Sequence, residues 1–258
     1  MFSKQFLSGL VLILFLVSCS PAQPTSIVTQ GQTPTVISGA GDITGVVDEY
    51  RQLFGSDNGA EPGSKGPSGY REINWDGVPD ELAAPNFMPS DFFNAPEAPR
   101  ARGAFFSTPG EGIQVSADLD NPYSIPPYFT NINPGYTFKT FSAERLFSPI
   151  GSNVVDLTFF VPGTTTPATV RGFGAVYTDV DTNHTAFEYF DQAGNSLGTF
   201  ESPTEDSGLS FLGVVFPKPV VYRVQIRYGT AALGPNDSAD ADVAVMDNFI
   251  YGEPQPLP

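Results

Sequence analysis

Between two strand-like runs the chain reads Asp179-Val180-Asp181-Thr182-Asn183. Carboxylate, carboxylate and amide at alternate positions can turn their oxygens toward one cation, and Ca²⁺ takes about six to eight oxygen ligands. The run matches only the opening of an EF-hand loop, because His184 stands at the glycine position and Phe190 where the bidentate Glu belongs. The same residues also suit a solvated turn. A second acid, Asp247, shares its alternation with Val243, Val245 and Phe249, which places it on a face expected to be buried. A buried carboxylate needs an arginine, backbone donors or a metal. Asp76 or Asp80 can supply the other half of a metal site there, with Asn236, Asp237, Asp240 and Asp242 as an acidic approach. The alternatives are a solvent-facing edge position or a pairing with Arg71 or Arg223. The candidate ligands for a structural Ca²⁺ are therefore Asp76, Asp179, Asp181, Asn183 and Asp247.

Aromatic residues concentrate in Asn121-Pro122-Tyr123-Ser124-Ile125-Pro126-Pro127-Tyr128-Phe129-Thr130-Asn131 and at Tyr136. Rings beside amides are what a sugar-binding surface uses, so Tyr123, Tyr128 and Tyr136 are the candidate ligand-binding residues. The competing reading is a Pro-rich loop whose rings plug one end of the fold, and Trp75 beside Ile73 reads as a core anchor. Catalysis finds little support. His184 is the only histidine, and no nucleophile elbow, zinc-protease, phosphate-loop or dinucleotide motif occurs. Paired carboxylates for glycoside hydrolysis stay open, since there are 28 Asp plus Glu and nothing singles out a pair.

The N-terminus bears on location. One Lys precedes an apolar stretch from Phe6 to Val17, which is of signal-peptide length and too short for a comfortable span. Leu16-Val17-Ser18-Cys19 closes it and resembles a bacterial lipoprotein signal, which implies a covalent lipid on Cys19 and an exported, membrane-anchored chain in the cell envelope. Ser20 rather than Asp follows the cysteine, which by that resemblance favours the outer membrane where two membranes exist. Cys19 is the only cysteine, so no disulfide staples the exported part. Formal net charge is −16 with only 12 Lys plus Arg, which excludes nucleic acid as a partner and disfavours anionic lipid surfaces.

The elements that must position these residues are mostly strands. Composition is rich in Gly (26), Pro (25) and Phe (22), which points to many turns around a β core. Val154–Val161 and Tyr222–Tyr228 alternate at period two, and Asp191–Asn195 is a hairpin signal between Phe187–Phe190 and Leu197–Phe200. Further strands are expected near Ala104–Phe106, Ile113–Ser116, Thr169–Tyr177, Leu209–Phe216 and Asp242–Tyr251. Val46, Val47, Tyr50, Leu53 and Phe54 lie on one face of a single helix, with Thr44 as its cap and Gly55 as its stop. The expected organisation is a signal over 1–19, a Ser/Thr/Gln/Pro tether over 20–40, helix and loop over 41–70, an all-β antiparallel sandwich of jelly-roll type over 71–253, and a Pro-rich tail over 254–258.

The block Arg71-Glu72-Ile73-Asn74-Trp75-Asp76-Gly77-Val78-Pro79-Asp80, with Pro85-Asn86, Asp91–Asn94 and Arg102-Gly103, resembles a family of uncharacterised exported bacterial proteins. Gly172–Val176, Phe190–Phe200, Phe211–Val214 and Met246–Phe249 are similar to jelly-roll β-sandwich modules of bacterial surface proteins, some shared with carbohydrate-binding and MAM-like domains. The resemblance implies the fold and brings no activity with it. The leading expectation is a lipid-anchored, non-catalytic binding or adhesion module, with glycans of the envelope or matrix as ligand. The alternatives are an assembly lipoprotein that docks a protein through its helix face and edge strands, and a carboxylate-based glycan hydrolase or lyase.

Overall fold

The computed structural model describes residues 33–235, 237–238 and 240–257; the signal segment, Cys19 and most of the tether lie outside the described residues. In chain order the elements are β1 (Thr35–Ala40), α1 (Thr44–Gln52), β2 (Tyr70–Ile73), β3 (Ala104–Ser107), β4 (Gly112–Val115), β5 (Phe147–Ile150) and β6 (Val154–Phe159). There follow β7 (Ala168–Thr169), β8 (Gly172–Val180), β9 (Ala186–Phe190), β10 (Ser196–Glu201), β11 (Glu205–Val215), β12 (Arg223–Arg227), β13 (Val245–Gly252) and β14 (Gln255–Pro256). One sheet runs β1-β11-β8-β13-β5-β4, and β13 shares an edge between β5 at Met246 and β2 at Phe249–Gly252. The second runs β10-β9-β12-β6-β3, and β14 pairs β7 as a small clasp. All these pairings are antiparallel. Among the described residues the fold is an all-β sandwich with a single α-helix.

Period two explains the core. Val155, Leu157 and Phe159 of β6, with Val224 and Ile226 of β12, turn inward against Phe173, Ala175 and Tyr177 of β8 and Met246, Phe249 and Tyr251 of β13. Trp75 lies at the centre, fully buried, stacked on Phe147 at 4.2 Å and edge-on to Phe93 and Phe249. Its indole N–H donates to the Asp247 carbonyl at 2.8 Å, so the ring is buried without an unpaired donor.

The helix packs on the outer face of the first sheet. Ile43, Val47, Tyr50 and Phe54 meet Val176, Phe211, Val215 and Ile250. Gly174 and Gly213 are partners across β8 and β11, and their missing side chains make room for the Tyr50 ring; a Cβ on Gly213 would lie 2.4 Å from it. Leu53, expected on this face, is 38% exposed. The helix also starts differently from expectation: the Asp42 carboxylate accepts from the Thr44 N–H, and Thr44 is already inside the helix. It ends at Gln52 with Leu53 as its C-cap, and Gly55, at φ +108°, turns the chain two residues later.

Two segment boundaries move. Thr35–Ala40, read from the sequence as the end of the tether, forms edge strand β1, paired over its own full length with Ser210–Val215 of β11. Its residues are mostly exposed on one side and carry little apolar character, so nothing in the alternation stands out. The tail also pairs, through β14, and the Gln255 side-chain amide donates to Ser64 Oγ and to the Gly66 carbonyl.

The Arg71–Asp80 block is a set of bolts. Arg71 is fully buried and donates from Nε and Nη2 to the two oxygens of Glu253 at 2.8 and 2.9 Å, and from its remaining N–H groups to the carbonyls of Glu61, Gly63 and Ala101. Glu253 also accepts from Asn58 and from the Lys65 N–H, so every charge in this buried pair is met. Glu72 accepts from Arg51 and Asn248, and Asp80 pairs with the buried Arg145 at 2.6 Å.

Candidate functional site

Residues 179–182 end β8 at one corner of the sandwich, and a bulge brings a third acid to them. Glu205 pairs with Val180 and Leu209 with Thr178, so Asp206, Ser207 and Gly208 stand opposite the single residue Asp179. Both Asp179 and Ser207 adopt left-handed backbone there, at φ +67° and +55°. The oxygens of Asp179, Asp181 and Asp206 come within 4.8 Å of one another. Asp179 is 1% exposed; its Oδ1 accepts from the Ser207 N–H at 2.7 Å, while its Oδ2 has no hydrogen-bond donor. Asp181 Oδ1 is likewise enclosed and without a donor.

Two more acids close the corner. The Asp237 carboxyl faces that of Asp179, with the Tyr136 hydroxyl alongside. Burial, then the Asp237 carboxyl, push Asp179 up to about 7, against the opposing pull of the Ser207 N–H and the Tyr136 hydroxyl. Asp181 is raised by burial and by Asp179, Asp242 and Asp206, and Asp237 is raised chiefly by burial. Asp242 is fully buried and accepts from the Thr182 N–H at 3.0 Å and from its hydroxyl, which pins the turn. Of the acidic approach assigned from sequence to Asp247, Asp237 thus serves Asp179 and Asp242 the turn at Thr182, while Asn236 lies outside the described residues.

The other expected ligands are elsewhere. Asn183 is exposed and reaches Glu201, outside the corner. Asp247 is fully buried, but its Oδ2 accepts from the N–H groups of Phe141 and Ser142 at 2.6 and 3.1 Å, and its Oδ1 from the Ser142 hydroxyl at 2.9 Å. Backbone donors therefore do the work for which a metal was considered, and neither Arg71 nor Arg223 is its partner. Asp76 sits on the same segment, accepting from the Arg145 N–H and from Asn74. Burial lifts Asp247 to about 7, with Asp76 adding to it, and burial lifts Asp76 to about 6. The face assignment also needs correction. A register shift between Met246 and Phe249 sends Val243 and Val245 to a different cluster from Phe249, so the four positions do not share one face.

The three tyrosines do not form one platform. Tyr128 and Tyr136 pack on Phe129, Phe138, Leu146, Val243 and Val245, plugging that end, and only Tyr123 is open to solvent at 51%. The aromatic surface lies on the opposite sheet, where sequence reasoning placed nothing. Because Phe106 and Phe159 face inward, their neighbours Phe105 and Phe160 face outward, with ring centroids 6.1 Å apart. With the Pro89–Arg100 segment and Gly163–Thr165 they line a groove of about 590 Å³. Arg100 lies over the Phe92 ring at 5.2 Å and pairs with Glu97, and Asp91 and Asn94 complete the polar rim. Phe105 and Phe160 meet only because β3 and β6 are sheet neighbours, a pairing between segments about fifty residues apart that local pattern does not reveal.

No protein-family model and no curated protein matches the chain. Among solved structures it is similar to the enzymatically active domain of tailspike protein 4 from bacteriophage CBA120, at 15% identity and a TM-score of 0.28. That match covers 68% of this chain and 22% of the tailspike chain, and at such a score it carries no argument about fold or activity.

Proposed function

We propose that the chain is an exported, lipid-anchored, non-catalytic binding module whose ligand is a neutral glycan held in the groove beside Phe105 and Phe160. The observation that carries this reading is the groove itself: outward Phe rings under a rim of Asp91, Asn94, Glu97 and Arg100. Sugars present apolar C–H faces that pack on aromatic rings and hydroxyls that seek carboxylate, amide and guanidinium partners, and sites of this volume suit a few sugar units. The net charge of −16 works against a uronate or sialylated ligand, which is why the proposal is a neutral one. Lipidation of Cys19 would hold the module at an envelope membrane, as its signal-like flank implies.

The helix-docking alternative loses its main support, because Val47, Tyr50 and Phe54 are spent on the first sheet. The hydrolase alternative rests on Asp91 and Glu97 in the same groove, and release of shorter products would favour it. A panel of neutral and acidic oligosaccharides, probed with the full chain in detergent, tests the proposal. Saturable binding confined to neutral glycans, without release of shorter products, supports it; binding only to acidic glycans, or steady hydrolysis, rejects it.

A further inference from the structure

We infer that the corner formed by Asp179, Asp181 and Asp206 is a Ca²⁺ site that ties the end of β8 to the bulge in β11. Its geometry is that of a shared ion. Two oxygens bound to one Ca²⁺ at about 2.4 Å can stand at most about 4.8 Å apart, and the three carboxylates meet that limit mutually. The cluster alone would be unremarkable, since exposed acids gather without an ion. What sets it apart is Asp179, which is 1% exposed yet leaves Oδ2 without any donor, facing another carboxyl. A buried carboxylate oxygen opposite a second acid needs a cation or a proton between them. The enclosed and unpaired Asp181 Oδ1 makes the same demand a second time.

The donor chemistry selects the ion. All the ligand atoms are oxygens, and no cysteine or histidine belongs to the cluster, so a hard cation fits and zinc or copper does not. The ligands come from a strand end and a three-residue bulge, an irregular arrangement that Ca²⁺ accepts more readily than Mg²⁺, which demands near-octahedral geometry. Asp237 faces Asp179 but lies outside the mutually close set, so backbone carbonyls or water complete the shell. This site is remote in the chain from the groove residues, so its occupancy and glycan binding are separate questions.

The test is calorimetric titration of the full chain in detergent with CaCl₂ and, separately, MgCl₂, after chelator treatment. The expected result is one Ca²⁺ per chain, Mg²⁺ at least tenfold weaker, and a higher unfolding midpoint with calcium than with chelator. Terbium in place of calcium should give luminescence sensitised through Tyr136. Asp206→Asn and Asp181→Asn, both at partly or fully exposed positions, should each weaken Ca²⁺ at least tenfold with unchanged circular dichroism. Asp247→Asn is the control and should leave the affinity as it is. No saturable Ca²⁺ binding, binding preferential for Mg²⁺, or binding indifferent to both corner substitutions would overturn the assignment.

Discussion

Single acids in this fold are distinguished by what meets them. Asp247 has three donors and remains raised to about 7 from an ordinary 3.8, because burial outweighs those bonds. A carboxyl whose folded value is raised gives stability that is complete below about pH 4 and is lost as pH climbs through 7. Unfolding in urea with chelator present should therefore show stability falling from pH 5 to pH 8. In Asp247→Asn the amide oxygen can take the two N–H groups and its NH₂ can donate to the Ser142 hydroxyl, so the fold should persist with a shallower pH slope. An unchanged slope in that variant would contradict the account. Asp247→Ala should instead lose about 1–3 kcal/mol, because the Phe141 and Ser142 N–H groups are left unpaired. At this scale the sequence was half legible. That Trp75 anchors the core followed from its place beside Ile73, whereas Asp247 is buried although the alternation with Val245 and Phe249 that suggested it is broken. The Met246–Phe249 register shift and the Asp206 bulge did not, because an extra residue in a strand changes faces without changing residue type.

Elements dock here through small residues and buried pairs. The helix lies close to the first sheet because Gly174 and Gly213 leave a flat seat for Tyr50. Gly213→Ala should destabilise the fold by about 1–3 kcal/mol through overpacking, and a Tyr50→Leu background should recover part of that loss; denaturant midpoints of the unsubstituted chain, the two single variants and the double variant test it, and an additive cycle would argue against contact between ring and seat. The loop from Asn58 to Lys65 is held differently, by Arg71 and Glu253. Arg71→Met should lose about 3–5 kcal/mol, since it strands a buried Glu253, and limited proteolysis should then cut first within that loop. Strands with clean alternation, such as Val154–Phe159 and Arg223–Arg227, were visible in the sequence. Thr35–Ala40 was not, because an edge strand with one exposed face and Ser and Gly in its middle reads like linker.

For the molecule as a whole, the strand β1 shortens the expected tether to roughly 15 residues after Cys19, a reach of at most about 50 Å. If Cys19 carries a lipid, Cys19→Ser should move the protein from the membrane fraction to the soluble one. Retention on the membrane in that variant would remove the lipid anchor from the account. The groove is a whole-molecule property too. It joins the Pro89–Arg100 segment to β3 and the turn after β6, residues far apart in sequence, which is why the sequence pointed instead to the compact tyrosine run at 123–136.

The most direct test is a calorimetric titration of the full chain with a neutral oligosaccharide from the binding panel, beside Phe105→Ala, Arg100→Ala and Tyr123→Ala. The account predicts that both groove substitutions weaken binding at least tenfold while Tyr123→Ala leaves it unchanged and all three chains unfold at similar midpoints. Binding that survives both groove substitutions and disappears with Tyr123→Ala would contradict it.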